Sequence, residues 1–255
     1  MIPMSPEEKR PYVQQLFSRI APRYDWFNRL VSCGLDQGWR RTVVARAHAA
    51  SGQTILDVCT GTGDLALLCA RQGARVIGLD MNWDMLVRAQ DKARAKRLPI
   101  GWVRGDAESL PLANGRVDRV MIGFSTRNLS DLTRGLSEMV RVLRPGGQLL
   151  ILETGYPSNP VIRFGYQLFL FTVARLVGLL LTGRVWPFTY LARSVKQFLT
   201  PAQVVERLQR LETQVEYVPL SHGLASLYIA TKLTASTTHE CAADVRRSML
   251  EMTCQ

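Results

Sequence analysis

The feature that most constrains the fold is a glycine-rich turn between an apolar run and a helix-forming segment. Thr54–Val58 has the apolar character of a buried strand, and Thr60–Asp64 (TGTGD) follows it. Asp64–Gln72 then has the composition of a helix. Glycines in such a turn allow a tight bend and let the backbone approach a ligand closely. The order predicts the first unit of an α/β domain with a ligand site at the turn.

The same alternation continues along the chain and indicates a parallel sheet, because parallel strands are joined by helical crossovers. Near the end, a helix and two further runs predict a closing pair of strands. The predicted strands are Thr54–Val58, Arg75–Leu79, Ile100–Arg104, Val117–Ile122, Gln148–Leu152, Thr213–Val218 and Leu224–Lys232. The later helices are predicted at Trp83–Lys96, Asp131–Leu143 (ended by RPGG) and Pro201–Leu211.

Three aspartates stand at predicted carboxyl ends of neighbouring strands, where open α/β sheets bind ligands: Asp57, Asp80 and Asp106. Any one of them suits a solvated turn or a helix cap. Together they suit a nucleoside, with Asp80 accepting from ribose hydroxyls and Asp106 from an adenine amine. The spacing Gly61–Ala66 also satisfies a loose dinucleotide pattern. However, the Asp64 carboxylate would repel a pyrophosphate and favours a cationic or zwitterionic ligand.

The amino-acid composition limits which binding partners, metal sites and locations are expected. The chain has 255 residues and a net charge of +11, and residues 1–50 and 151–200 carry +8 of that charge and 15 of the 20 aromatic side chains. No uninterrupted apolar run reaches the roughly 18 residues of a membrane span. The five cysteines show neither a disulfide framework nor metal-ligand spacing, and the N-terminus lacks a signal-peptide core. We therefore expect no metal site and a cytoplasmic location.

Several motifs accompany the glycine turn: YDWFN at 24–28, GWR at 38–40, FSTRNL at 124–129, RVLRPGG at 141–147, Leu152-Glu153 and YLAxSV at 190–195. With them the chain resembles the class I S-adenosylmethionine-dependent methyltransferases. More closely, it resembles the family that C-methylates the quinol ring in ubiquinone and menaquinone biosynthesis. The resemblance spans about residues 10–232. It implies a Rossmann-like methyltransferase fold with a mostly parallel seven-stranded sheet, helices on both faces, and a helical cap and insert.

The resemblance implies S-adenosylmethionine as cofactor and places Thr62, Asp80, Asp106, Ala107 and Gly123 around it. The predicted cofactor-binding set is completed by the turn and the first aspartate: Asp57, Gly61 and Gly63. Many members of the family have asparagine at the position of Asp106. They often have serine at the position of Gly123, so the chain lacks a hydroxyl there.

Methylation at carbon needs an electron-rich quinol, ideally ionised at a ring oxygen. Arg127 cannot act as a base, because a guanidinium stays protonated. It can lower the pKa of the quinol and hold a water molecule, while Asn128 fixes that water or a quinol oxygen. These two are the predicted catalytic residues. The predicted substrate-binding residues lie in the cap and in the insert: Tyr24, Asp25, Asn28, Tyr190 and Ser194. For the two tyrosines, ordinary aromatic packing is an equal alternative.

The expected organisation has five parts along the chain. They are an N-terminal helical cap (1–50), a cofactor-binding core (51–155), a helical lid or insert (156–200), a closing helix with antiparallel strands (201–233) and a C-terminal extension (234–255). Within the insert, Val161–Gly183 is apolar but interrupted by Arg163 and Arg175. Two interpretations stay open for it: a buried lid helix, or an entrance for a prenyl tail that rests on a bilayer surface.

The expected function is S-adenosylmethionine-dependent C-methylation of a polyprenylated quinol, with demethylmenaquinol favoured over the ubiquinone-pathway benzoquinol. Alternatives are another aromatic or isoprenoid acceptor, and a lipid-binding protein without activity. A nucleic-acid methyltransferase is disfavoured, because the chain has no Asp/Asn-Pro-Pro-aromatic tetrad and its basic residues are scattered. The expected partners are therefore the prenylated quinol and, peripherally, the anionic inner membrane face, with no nucleic acid. A homo-oligomer is compatible with the sequence.

Overall fold

The computed structural model describes residues 5–155, 157, 159–182 and 186–234. The chain begins with three helices, α1 (Pro6–Ile20), α2 (Tyr24–Val31) and α3 (Leu35–Arg46). Ser5 caps α1, since its hydroxyl accepts from the Glu8 amide and the Glu8 carboxylate accepts from the Ser5 amide. Apart from Thr234, the predicted C-terminal extension (234–255) lies outside the described residues.

Seven strands form one sheet in the order β3-β2-β1-β4-β5-β7-β6. The first five are parallel, whereas β7 runs antiparallel to both β5 and β6. The strands are β1 (Thr54–Val58), β2 (Arg75–Asp80), β3 (Ile100–Arg104), β4 (Val117–Gly123), β5 (Leu143–Thr154), β6 (Thr213–Leu220) and β7 (Ala225–Lys232). The predicted mostly parallel seven-stranded fold is confirmed.

Helices cover both faces of the sheet and bury two apolar layers against it. One layer contains Leu136 and Met139 of α6 (Leu132–Val142) and Leu208 of α9 (Pro201–Gln209). The other contains Val43 of α3 and Leu65 of α4 (Asp64–Arg71). Helix α5 (Trp83–Ala95) connects β2 to β3. Because the strand order reverses between β1 and β4, the crevice at their carboxyl ends is the expected ligand position.

The sequence predicts that residues 144–147 end a helix ahead of a strand that starts at Gln148, whereas in the structure these residues lie within β5. Helix α6 ends at Val142, and β5 begins at Leu143, which pairs with Val117. The next pair along the ladder joins Arg119 to Gln148, so four residues of β5 bulge out of register, with Gly146 at φ +74°. The helix therefore ends close to the predicted position, but the proline and glycines that follow it form a bulge within β5.

The cap and the insert pack on each other. The insert forms α7 (Pro160–Thr182) and α8 (Trp186–Gln197). Tyr190 of α8 is buried in a third apolar cluster with Leu16, Ile20 and Phe27 of the cap. Within the described part of the chain, no helix is both long and apolar enough to cross a membrane.

Candidate active site

A cavity lies at the carboxyl ends of β1 to β4, with α1 and α2 on its other side. Its empty volume is about 920 Å³, including space that is open to solvent. Eight of the predicted site residues line it: Tyr24, Gly61, Thr62, Asp80, Asp106, Ala107, Gly123 and Asn128. Seven do not: Asp25, Asn28, Asp57, Gly63, Arg127, Tyr190 and Ser194.

Asp57 supports the glycine turn from behind. Its carboxylate accepts from the Thr60 hydroxyl at 2.6 Å and from the Ala66 amide at 3.0 Å. Burial raises the pKa of Asp57 to about 7, against the opposing effect of these hydrogen bonds. Gly63 has φ +81°, and a Cβ there would lie 2.9 Å from the Trp102 ring. Both residues therefore shape the turn without facing the cavity.

Asp80 holds the cavity side of the same turn. One carboxylate oxygen accepts from the Gly61 amide at 2.8 Å, and the other accepts from the Asn82 amide at 2.8 Å. Burial raises the pKa of Asp80, while these backbone hydrogen bonds oppose the shift. A carboxylate offers about four lone-pair positions, so each oxygen keeps acceptor capacity toward the cavity.

Asp106 lies in the turn after β3 and meets the cap. Its Oδ1 accepts from the Glu108 amide at 2.9 Å, and its Oδ2 forms an ion pair with Arg10 of α1. No local sequence pattern indicates Arg10, because it pairs with a residue 96 positions away in the chain. The Asn82 side chain makes a second link to α1, donating to the Gln14 carbonyl oxygen at 2.9 Å.

Asp25 is bound to the glycine turn, although it belongs to the cap. Its carboxylate accepts from the Thr62 hydroxyl at 2.5 Å and from the Lys92 ammonium at 2.8 Å. Lys92 also donates to Asp64 at 2.5 Å. The neighbouring Asn28 hydrogen-bonds the Tyr24 side chain, and of these two only Tyr24 lines the cavity. The cap is thus fastened to the turn through a polar network.

Arg127 is held by a buried carboxylate. Its guanidinium pairs with Glu153 at the end of β5, and the two side chains are 8% and 1% exposed. Glu153 also accepts from the Thr126 hydroxyl at 2.6 Å and from the Thr154 amide at 2.8 Å. The Arg127 Nε has no hydrogen-bond partner among the described residues. In the sequence, Glu153 is recognisable as part of the Leu152-Glu153 motif and as an acidic residue directly after the apolar run at 149–152.

Asn128 carries its amide at the cavity wall. The Tyr190 hydroxyl donates to the Asn128 Oδ1 at 3.3 Å, while the Asn128 Nδ2 has no partner in the described part of the chain. The Tyr190 ring packs edge-on against Tyr12, and burial raises the pKa of Tyr190 to about 12. The Tyr190 hydroxyl thereby occupies the acceptor end of the Asn128 amide. Ser194 lies half-buried on the same helix.

Gly123 makes room for a cation. A Cβ at this position would lie 2.9 Å from the Leu65 Cδ1 and 3.2 Å from the Arg40 Nη1. Arg40 of α3 is 6% exposed and lines the cavity. The glycine, where the resemblance leads one to expect serine, therefore coincides with a close approach of the Arg40 guanidinium.

Comparison with known proteins identifies the family. The model of the ubiE/COQ5 methyltransferase family matches residues 4–232. The chain is 38% identical to the demethylmenaquinone methyltransferase of Deinococcus radiodurans, across 89% of this chain and 95% of that protein. It is also 38% identical to the enzyme of that name from Thermus thermophilus, across 85% of this chain and 100% of that protein.

The chain belongs to the ubiE/COQ5 methyltransferase family. It is therefore an S-adenosylmethionine-dependent methyltransferase. Solved structures agree on the fold. An S-adenosylmethionine-dependent methyltransferase from Aquifex aeolicus superposes with a TM-score of 0.57 at 18% identity, across 76% of this chain and 89% of that one. One from Thermotoga maritima gives a TM-score of 0.60 at 17% identity, across 86% of this chain and 98% of that one.

The residues of this ubiE/COQ5-family cavity fit S-adenosylmethionine. A Cβ at Gly61 would meet no atom within 4 Å, so the turn backbone borders open space. Acceptors for hydroxyls and an amine stand at Asp80 and Asp106, and the buried Nε of Arg40 lacks a hydrogen-bond partner in the described chain. Such a donor and acceptor set suits a nucleoside that carries an amino acid.

Proposed function

We propose that this enzyme methylates a ring carbon of a prenylated quinol, with demethylmenaquinol as the preferred acceptor. The observation that carries the proposal is the buried Arg127–Glu153 pair next to Asn128, a cavity-lining residue whose Nδ2 has no hydrogen-bond partner among the described residues. The names of the relatives from Deinococcus radiodurans and Thermus thermophilus support the head group. The ubiquinone-pathway benzoquinol is the second candidate.

The cofactor site follows the order of the strands. Asp106 and Ala107 at the end of β3 would hold the adenine, and Asp80 at the end of β2 would hold the ribose. Gly61 and Thr62 would border the rest of the cofactor with the backbone of the glycine turn. We assign Asp57 and Gly63 to shaping this turn, because neither lines the cavity.

The cofactor, when bound, supplies a methyl group on a sulfonium sulfur as the electrophile. The protein's task is then to make the quinol carbon nucleophilic. The Asn128 Nδ2 donates to a quinol oxygen, which favours its ionised form. Arg127 does not line the cavity but precedes Asn128 in the chain. Its positive charge would act on the same oxygen from a distance or through water. Water carries the proton away, since Arg127 stays protonated.

The cap supplies the contact surface for the ring. Tyr24 and Phe17 line the cavity from the cap side, and their rings lie 5.8 Å apart. Asp25 and Asn28 serve this surface indirectly: the first fastens α2 to the turn, and the second hydrogen-bonds Tyr24. In the insert, Tyr190 orients Asn128. Ser194 remains a predicted substrate contact of the insert.

We also propose that the enzyme reaches its lipid substrate at an anionic bilayer surface. Helix α7 exposes an apolar stripe, called here the α7 face, with exposed fractions of 77% for Val161, 69% for Phe164, 54% for Leu168 and 57% for Leu176. Trp26, on the adjoining α2, is 65% exposed. Exposed cations on neighbouring helices complement anionic headgroups: Arg23, Arg29, Arg193 and Lys196.

The test is incubation of the full chain with methyl-labelled S-adenosylmethionine and each reduced quinone, followed by mass spectrometry. We expect labelled menaquinol from demethylmenaquinol, and loss of the product with Asn128→Ala while S-adenosylhomocysteine still binds. Product only from the benzoquinol would move the assignment to the second candidate. Product from neither quinol would refute it and point to another aromatic or isoprenoid acceptor.

A further inference from the structure

The Asn128 amide is carried by a short turn that other parts of the fold hold in place. Thr126–Asn128 form a single 3₁₀ turn after β4, closed by the Leu129 amide, which donates to the Thr126 carbonyl oxygen at 3.3 Å. A 3₁₀ turn has poorer hydrogen-bond geometry than an α-helix and is stable only in short pieces. The orientation of this turn therefore depends on side chains that reach it from other elements.

Two of those side chains are carboxylates from the edge of the sheet. Glu153, at the end of β5, accepts from the Thr126 hydroxyl at 2.6 Å. Glu108, in the turn after β3, accepts from the Ser130 amide at 2.6 Å and from the Asp131 amide at 3.1 Å. An ionised carboxylate can only accept hydrogen bonds, so the backbone carbonyl groups of the turn need a different partner.

Lys9 of α1 is that partner. Its ammonium donates to the Leu129 carbonyl oxygen at 2.6 Å and to the Arg127 carbonyl oxygen at 3.1 Å, across 120 and 118 positions in the chain. These two carbonyl groups flank Asn128. Lys9 is half-buried, and this burial lowers its pKa, while the charge of Glu108 opposes that shift. The ammonium thus uses two of its three donors on the backbone beside Asn128.

The cap and the insert hold different parts of Asn128. Tyr190 of the insert donates to the side-chain Oδ1 at 3.3 Å, whereas Lys9 of the cap holds the backbone on either side of the residue. Asn128 lines the cavity, and its Nδ2 has no hydrogen-bond partner in the part of the chain that the structure describes. Because one side-chain contact alone leaves the backbone free to shift, the direction of the Nδ2 depends on Lys9 as well.

We propose that Lys9 is a positioning residue for methyl transfer, which holds the carbonyl groups beside Asn128 so that the Asn128 Nδ2 faces the quinol. This rests on the proposed function, in which that Nδ2 donates to a quinol oxygen. The cap then does more than cover the cavity, because its first helix completes the geometry of the acceptor side.

Lys232 offers a matched control. Its ammonium also donates to backbone carbonyl oxygens, those of Val140 and Leu143, both at 2.9 Å. Burial likewise lowers the pKa of Lys232, and the residue does not line the cavity. Replacing either lysine by methionine therefore removes the same kind of contact, but only Lys9→Met removes it beside Asn128.

Steady-state kinetics of the full chain with demethylmenaquinol compare the two variants. We expect Lys9→Met to lower kcat about 10- to 100-fold, since a small displacement of a positioned group costs this much. The Kd of S-adenosylhomocysteine should stay within about twofold, and Lys232→Met should keep kcat within about twofold. Equal losses of kcat in the two variants, or an unchanged kcat in Lys9→Met, would overturn the role of Lys9.

A spectroscopic measurement tests the positioning without any quinol. The side-chain amide signals of Asn128 in the ¹H–¹⁵N spectrum of the protein with S-adenosylhomocysteine are identified by their loss in Asn128→Ala. We expect Lys9→Met to shift or broaden them and Lys232→Met to leave them in place. Unchanged signals in Lys9→Met would overturn the proposal.

The two measurements also separate this proposal from the proposed function. If the wild type methylates neither quinol, the proposed function fails, and the Asn128 signals still decide whether Lys9 positions the amide. If Lys9→Met does not fold, as judged by circular dichroism, Lys9→Gln decides by the same measurements, because glutamine is one atom shorter and cannot reach both carbonyl groups.

Discussion

Replacing Glu153 by Gln perturbs the group that positions Arg127. The carboxylate accepts hydrogen bonds from Arg127, from the Thr126 hydroxyl and from the Thr154 amide, and its side chain is 1% exposed. Glutamine has the same shape but only one acceptor oxygen, and its NH₂ faces the existing donors. The Arg127 cation, 8% exposed, then lacks a counter-charge.

The expected cost follows from this burial. Removing one partner of a buried ion pair typically lowers the free energy of unfolding by about 3–5 kcal/mol, because the other charge stays buried without compensation. For a chain of this size, that corresponds to a fall in the melting temperature of about 6–20 °C. Methyl transfer should fall as well, because the guanidinium loses its fixed orientation, whereas S-adenosylhomocysteine should still bind to the folded fraction.

A double variant separates positioning from stability. Arg127→Met together with Glu153→Met removes both charges, and apolar residues in place of a buried pair are often neutral or stabilising. We expect this double variant to regain most of the stability that either single change loses, while methyl transfer stays absent. Chemical unfolding of the wild type, Arg127→Met, Glu153→Met and the double variant gives the coupling energy. Mass spectrometry of the quinol product gives the activity.

Two results would refute this reasoning. Losses of stability that add to within about 0.5 kcal/mol in the double variant would show that Arg127 and Glu153 act independently. Wild-type turnover in Glu153→Gln would show that Arg127 needs no positioning carboxylate.

Three further predictions concern the glycine turn, the contact between Gly123 and Arg40, and the α7 face. Asp57 has a folded-state pKa of about 7, above its ordinary 3.8, so its contribution to stability is full at low pH and is lost as pH rises toward 7. The difference in unfolding free energy between wild type and Asp57→Asn should therefore decrease between about pH 4 and 7, and a flat difference would contradict the shift. Gly123→Ser should displace Leu65 and Arg40 and lower the free energy of unfolding by about 1–2 kcal/mol, as measured by chemical unfolding; an unchanged free energy would contradict the predicted crowding. Phe164→Ser with Leu168→Ser should lower sedimentation with anionic vesicles at least about tenfold, whereas Trp83→Ser, 53% exposed on α5, should not, and unchanged sedimentation would reject the α7 face as the contact.

Local patterns predicted most of the fold. The apolar runs located all seven strands and, apart from the start of β5, placed their ends to within two residues, since a strand in the interior of a sheet needs consecutive apolar side chains. The glycine turn and the aspartates after β2 and β3 were likewise readable, because parallel strands bring their carboxyl ends to one edge. The start of β5 was not, since pairing of Leu143 with Val117 depends on the neighbouring strand.

The sequence by itself determined the sheet, the cofactor edge and the family, because these depend on residue order and on short motifs. The tertiary structure decided which charges meet. Arg127 reaches Glu153 across 26 positions, Arg10 reaches Asp106 across 96, and Asp25 turns away from the cavity to hold Thr62. Each contact arises where separate elements pack together, so no local pattern encodes it. The same packing places Arg40 beside Gly123 and leaves the Asp36 and Asp64 carboxylates 3.7 and 3.8 Å from its Nε.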